Sequence, residues 1–100
     1  MLELRPTCEN WNRVLPPDST EARICTYTFC AHCVDVVLDN VCPNCGGGLV
    51  PRPIRPSRNW RGDNYLEKDP ASSKVRHNPV DPEDHARFSA VIKAIAPEQR

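Results

Sequence analysis

Six cysteines carry the chemistry open to this chain: Cys8, Cys25, Cys30, Cys33, Cys42 and Cys45. Four of them form two C-x-x-C pairs, Cys30-Ala31-His32-Cys33 and Cys42-Pro43-Asn44-Cys45. Two intervening residues let both thiolates of a pair reach one zinc ion, with sulfur about 2.3 Å from the metal. The second pair runs on into Gly46-Gly47-Gly48, where the backbone can turn beneath the sulfurs and offer N–H groups to the thiolates. A lone pair could be a redox motif, but two pairs eight residues apart point to metal, and no thioredoxin-like βαβ pattern accompanies them. The simplest site takes all four thiolates, Cys30, Cys33, Cys42 and Cys45. Four sulfurs close a tetrahedron without an open position, so such a site is structural rather than catalytic. Soft thiolates select zinc, with iron as the lesser alternative.

The rest of the composition explains why a staple is needed. Of 100 residues, 39% are hydrophobic and 6% aromatic, and eleven are proline. Such a chain buries a thin core, and small cores generally rely on disulfides, metal or oligomerisation. The start, Met1-Leu2-Glu3-Leu4-Arg5-Pro6, lacks the basic and apolar run of a signal peptide. No stretch approaches the roughly 18 apolar residues of a membrane span. The expectation is a cytoplasmic protein without membrane contact, and in a reducing compartment paired cysteines favour metal over disulfides. Net charge is zero, but residues 51–61 hold four arginines and no acid.

Three regions follow from the pattern. Residues 1–50 hold every cysteine and form the zinc-binding module. A short helix is expected from about Cys33, with Val34, Val37 and Leu38 on one face, although β-branched residues weaken it. Residues 51–80 form a proline- and arginine-rich linker and an irregular segment. Arg52, Arg55, Arg58 and Arg61 recur every third residue, the repeat of a polyproline II helix, so all four would share one face beside Trp60. That stripe is either a solvated linker or a small footprint for nucleic-acid phosphate or an acidic partner. Residues 81–97 predict an amphipathic helix. Asp81 is its N-cap, Pro82 its first residue and Pro97 its stop, and Phe88, Val91, Ile92 and Ile95 form one apolar stripe. The stripe is expected to pack on the zinc module or on Trp60 and Tyr65, or else to dock a partner or a second copy of the chain.

The cysteine order resembles a RING finger. The segment Cys25-Thr26-Tyr27-Thr28-Phe29-Cys30-Ala31-His32-Cys33 has the spacing of the middle ligands, and Cys42-Pro43-Asn44-Cys45 that of the last pair. Trp11 stands where the partner of Cys8 is expected, and Tyr27 where a histidine is expected. A closer resemblance is to the small bacterial domain-of-unknown-function family 1272. It is carried by Met1-Leu2-Glu3-Leu4-Arg5-Pro6-Thr7-Cys8-Glu9-Asn10, by residues 15–25, by Thr28-Phe29-Cys30-Ala31-His32-Cys33 and by Val41-Cys42-Pro43-Asn44-Cys45-Gly46-Gly47. Asp63-Asn64-Tyr65-Leu66 and Asp69-Pro70-Ala71-Ser72 extend it into the tail. The resemblance implies a zinc-stabilised α+β fold of RING-like or treble-clef type, without a known activity. The family pattern has eight cysteines. This chain departs from it twice, at Trp11 and through a two-residue shortening before Thr28.

Two pairings stay open. In a cross-brace, Cys8 joins Cys30 and Cys33 while Cys25 joins Cys42 and Cys45, leaving two three-cysteine sites. In sequential pairing both losses fall on the site of Cys8 and Cys25, and the four-cysteine site survives with one zinc ion. The second is preferred, because losing one whole site is the simpler history. Trp11 and Tyr27 would then fill the vacated space as an apolar cluster near Leu15, Ile24 and Phe29, with Cys8 and Cys25 as buried thiols. His32 is expected to face solvent; a three-cysteine site would take water, His32 or a partner's side chain as its fourth ligand. His77 and His85 have no expected role. The expected function is a structural zinc-binding adaptor or protein-interaction module, not an enzyme. A nucleic-acid-binding zinc protein and a degenerate RING-type ligase domain are the alternatives.

Overall fold

Ala22-Arg23-Ile24 and Thr28-Phe29-Cys30 flank a three-residue turn, Cys25-Thr26-Tyr27, and pair as an antiparallel hairpin. In the computed structural model, which describes residues 3–100, β1 (Ala22–Ile24) sets Ala22 opposite Cys30 and Ile24 opposite Thr28 of β2 (Thr28–Cys30). Met1 and Leu2 of the N-terminal motif lie outside the described residues. The other edge of β1 takes β3 (Val50–Pro51), giving the order β2-β1-β3. Pro51 donates no hydrogen bond, which an edge strand tolerates.

The chain leaves β2 directly into α1 (Ala31–Cys33). Cys30 is its N-cap, and its sulfur accepts the N–H of Cys33 at 3.4 Å. The helix continues as a π-helical turn, Val34–Leu38, that ends where Asp39 and Asn40 take positive φ. Val34 and Leu38 face inward as the spacing predicted, with Val37 half-buried. They join Leu15, Ala22, Phe29 and Leu49, with Cys8, Cys30 and Cys33, in one small core.

A polar peg runs through this core. Glu9 is fully buried. Its carboxylate accepts from the Arg5 guanidinium, from the Thr28 backbone N–H and from Asn78 Nδ2. Its own N–H donates to Thr28 O at 2.9 Å, and its carbonyl accepts from Asn78 N at 2.7 Å. One side chain thus ties the N-terminal loop, β2 and the segment before the last helix. A buried carboxylate is tolerated only with its charge paired and its lone pairs satisfied.

Residues 51–80 lie strapped along the module. Ser72 N donates to Leu4 O at 3.0 Å, and Val80 N to Asn10 Oδ1 at 2.7 Å. The arginine stripe is drawn inward at its start. Arg52 is 4% exposed, and its guanidinium donates to the carbonyls of Arg5, Leu15 and Pro16. Arg55 Nη1 donates to Asp69 O at 2.6 Å. The four-arginine face therefore does not form, because backbone carbonyls of the fold claim its first half. Arg58, Arg61 and Trp60 stay on the surface.

The last helix, α2 (Pro82–Ile92), starts as expected. Asp81 caps it through Glu83 N, and Pro82 is its first residue. It ends sooner than predicted, and its buried face is shifted. His85 and Ser89 are buried, whereas Phe88, Val91 and Ile95 are 45%, 73% and 37% exposed. His85 Nε2 bonds Leu38 O at 2.8 Å, so the helix is fixed to the end of the π turn by a histidine to which the sequence assigned no role. Phe88 and Ile92 reach the glycine turn, and a Cβ on Gly46 would lie 3.4 Å from Ile92 Cδ1. The helix thus packs on the cysteine module. Among the described residues no helix is long and apolar enough to cross a membrane.

Glu9→Ala removes the anion but leaves Arg5, Thr28 N and Asn78 facing the gap. Breaking a buried pair costs roughly 3–5 kcal/mol, comparable to the whole stability of a small domain. The expected outcome in chemical denaturation followed by circular dichroism is a chain largely unfolded at neutral pH. A loss under about 1 kcal/mol, the worth of a surface pair, would show that the peg is dispensable.

Candidate metal centre

The loop Cys42–Gly47 is closed by two backbone bonds, Cys42 N to Gly47 O and Gly46 N to Cys42 O, both 2.8 Å. Gly46 has φ +83°, a region that side chains with a Cβ rarely occupy. Closure turns the sulfurs of Cys42 and Cys45 the same way. The hairpin turn, tightened by Cys25 N donating to Tyr27 O at 3.0 Å, lays Cys25 over them. The three sulfurs lie within 4.8 Å of one another, and Cys25 Sγ is 3.3 Å from Cys45 Sγ. The tetrahedral edge around zinc with 2.3 Å bonds is roughly 3.8 Å, so the donor set fits a tetrahedral thiolate metal. Cys42 is buried, Cys25 half-buried and Cys45 exposed.

Neighbouring groups prepare these sulfurs for charge. Gly47 N donates to Cys45 Sγ at 3.4 Å, and Thr26 Oγ1 lies 3.3 Å from Cys42 Sγ and 3.6 Å from Cys45 Sγ. Asn44 Nδ2 donates to Thr26 Oγ1 at 3.0 Å, which turns the hydroxyl proton toward sulfur. The Gly47 N–H, then the Thr26 hydroxyl, lower the Cys45 thiol to about 7. Burial, then the adjoining Cys45 sulfur, push Cys25 up to about 12. The metal-free cluster therefore ionises at Cys45 first and resists further charge, which a divalent cation in its midst would reverse. Gly47 is a glycine for lack of room, since a Cβ there would stand 3.0 Å from Cys25 Sγ and 3.4 Å from Cys45 Sγ.

The other three cysteines gather in the core. Cys8, Cys30 and Cys33 are fully buried. Cys8 lies close enough to the other two for their thiols to perturb one another. Hydrogen bonding from Cys33 lowers Cys8 to about 5, and Cys33 is raised by the same neighbour. Asn10 Nδ2 donates to Cys33 Sγ at 3.2 Å. The loop holding Cys8 repeats the knuckle's backbone. Asn12 N bonds Cys8 O and Cys8 N bonds Arg13 O, both 2.8 Å, and Asn12 has φ +55° where the knuckle has Gly46. Trp11 occupies the position of Cys45.

The expected set of Cys30, Cys33, Cys42 and Cys45 is thus divided by the fold. Strand β2 and α1 carry Cys30 and Cys33 inward to Cys8, while the hairpin turn delivers Cys25 to Cys42 and Cys45. This is the cross-braced grouping. Trp11 does not fill a buried apolar cluster with Tyr27. It is 45% exposed and lies tilted at 42° against the exposed His32, with ring centroids 5.4 Å apart. Tyr27 lies beside Phe29 and under the Arg5 guanidinium. Nothing in the residue types of Thr26, Asn44 and Asn10 marks them for these roles in the sequence. The signal that could have found the asparagines is their shared place, third in Cys8-Glu9-Asn10-Trp11 and in Cys42-Pro43-Asn44-Cys45.

Two outcomes are expected here. Gly47→Ala crowds Cys25 and should weaken metal binding in a chelator competition while leaving the fold of the loaded chain intact; unchanged affinity would show the loop giving way freely. Metal displaces protons from thiols, so affinity rises with pH. Below about pH 7 the metal-free Cys45 is also protonated, so affinity should fall by one further power of proton concentration there than above. A constant slope from pH 6 to 8 would contradict that assignment.

The family model for proteins of unknown function, DUF1272, matches residues 1–55, which include both cysteine groups. An uncharacterized protein of Rhizobium meliloti (strain 1021) is 53% identical over 75 residues, covering 73% of this chain and 82% of that protein. No solved structure matches. With its cysteine loops, hairpin and knuckle all inside the matched span, the chain belongs to the DUF1272 family.

Proposed function

We propose that this chain is a zinc-stabilised protein-interaction module of a reducing cytoplasm, without catalysis of its own, in which Cys25, Cys42 and Cys45 hold one ion. The observation that carries the reading is the meeting of three sulfurs from two loops about twenty residues apart, within 4.8 Å. Thiolate donors favour zinc among the common divalent metals in such a setting. Zinc at this position would clamp the hairpin turn to the knuckle, and through Gly46 to the foot of α2. Sites of this kind contribute on the order of 10 kcal/mol to folding.

Surface features support the interaction half of the reading. A groove of about 500 Å³ lies between Tyr27, Pro43, Val80 and the Asp84 and Phe88 side of α2. Phe88 and Val91 are exposed there and on the adjoining face. Exposed apolar side chains grouped beside a groove mark binding surfaces more often than isolated ones do. The same face would serve a second copy of the chain. A second ion at Cys8, Cys30 and Cys33 is the alternative, although among the described residues only Cys25, Cys42 and Cys45 bring three ligand atoms within 4.8 Å of one another.

Protein purified without added metal is expected to carry about one zinc per chain by elemental analysis, and to lose its circular-dichroism signal when the zinc is chelated. Two zinc ions per chain would assign the second centre as well. A metal-free, folded chain with six titratable thiols would overturn the proposal.

A further inference from the structure

Only one of the six cysteines faces solvent. Cys8, Cys30, Cys33 and Cys42 are buried, Cys25 is half-buried and Cys45 is exposed. A dissolved oxidant therefore meets Cys45 first, since thiol oxidation follows access to the sulfur. Cys25 Sγ is in contact with that sulfur at 3.3 Å, from 20 residues away in the sequence. A disulfide holds its sulfurs about 2.05 Å apart, so an approach on the order of 1 Å separates this pair from one. Gly47 beside them has no Cβ to fix their spacing, and one built there would press on Cys25 Sγ at 3.0 Å and Cys45 Sγ at 3.4 Å. Cys42, the other thiol of the knuckle, is buried and in contact with the Thr26 hydroxyl at 3.3 Å.

We propose that Cys25 and Cys45 form a redox-sensitive link, which a hydroperoxide converts from two thiolate donors into a disulfide with release of the ion. The inference rests on the metal reading above. The Cys45 sulfur attacks one oxygen of hydrogen peroxide. An S–O bond forms, the O–O bond breaks, and hydroxide leaves and takes up a proton as water. The Cys25 sulfur then attacks the Cys45 sulfur. The S–S bond forms, the S–O bond breaks, and a second hydroxide leaves and is protonated to water. Two electrons pass from the two sulfurs to the peroxide. The divalent ion departs with its charge unchanged, because Cys42 alone remains as a thiolate donor. The disulfide joins the same two loops that the ion clamps, the hairpin turn and the knuckle. The oxidised chain therefore keeps its fold without metal, which a Cys42–Cys45 bridge inside one loop would not secure.

The test treats the zinc-loaded full chain with hydrogen peroxide. It follows zinc release with a colorimetric indicator, disulfide connectivity by mass spectrometry, and fold by circular dichroism. Chymotrypsin, cutting after Tyr27, Phe29 and Leu38, puts Cys25 and Cys45 in different peptides. The expected result is one zinc released per Cys25–Cys45 disulfide, with the circular-dichroism signal kept. In Cys25→Ser, Cys45 should stop at the sulfenic acid and be trapped by dimedone. Zinc retained under peroxide, a Cys42–Cys45 bridge, or a Cys45 sulfinic acid with Cys25 still free to alkylation would overturn the inference while leaving the metal centre standing. A purified chain that takes up no zinc would overturn the metal reading and this inference together. The wild-type mapping decides the matter even where Cys25→Ser does not fold.

Discussion

Three sulfurs are held in one small volume where two loops meet, joined also by Asn44 donating to Thr26. Cys25 comes from a hairpin turn, and Cys42 and Cys45 from a knuckle closed by two backbone hydrogen bonds. Thiols gain little from such crowding: burial, then the adjoining sulfur, raises Cys25, while the Gly47 N–H lowers Cys45. A cation among them would turn that crowding into a link between the two loops. Much else is arranged around that point. Gly47 leaves space for the sulfurs, Asn44 orients Thr26, and Gly46 lets Ile92 and Phe88 of α2 approach the knuckle.

On the opposite side of the hairpin, order comes from hydrogen bonds rather than sulfur alone. Glu9 and Asn10 follow Cys8 in the first loop, and each reaches across the module. Glu9 fixes Arg5, Thr28 and Asn78, and Asn10 fixes Cys33 and Val80. The loop has the same backbone turn as Cys42–Gly47, with Trp11 at the position that Cys45 holds there. These polar pegs account for how an aliphatic core of this size orders a long irregular segment. The segment supplies few apolar side chains, but its backbone finds partners at Leu4, Glu9 and Asn10.

The elements governed by local chemistry were legible in the sequence. The C-x-x-C-G turn, the helix begun at a cysteine and the Asp81-Pro82 start of α2 each follow from a few adjacent residues. What sequence could not decide was long-range pairing. Cys30 and Cys33 fit either neighbour by spacing, and only the direction of β2 and α1 sends them to Cys8. The arginine repeat suggested an external stripe, yet Arg52 is worth more to the fold as a donor to three carbonyls than to solvent. The apolar stripe of α2 pointed to Phe88, Val91, Ile92 and Ile95, of which Ile92 is half-buried against the glycine turn. The helix instead turns His85 and Ser89 inward, because Leu38 O offers the imidazole a hydrogen bond at the end of the π turn.

An interaction module built this way would use its ion as the clamp between two loops. That use depends on three sulfurs, Cys25, Cys42 and Cys45, being the sulfur donor set. The most direct measurement is the sulfur coordination number of zinc in the loaded full chain, by X-ray absorption. Three sulfurs and one lighter atom, falling to two sulfurs in Cys25→Ser, is the predicted result. Four sulfurs in the wild type, unchanged by Cys25→Ser, would restore the site of Cys30, Cys33, Cys42 and Cys45 and contradict the account.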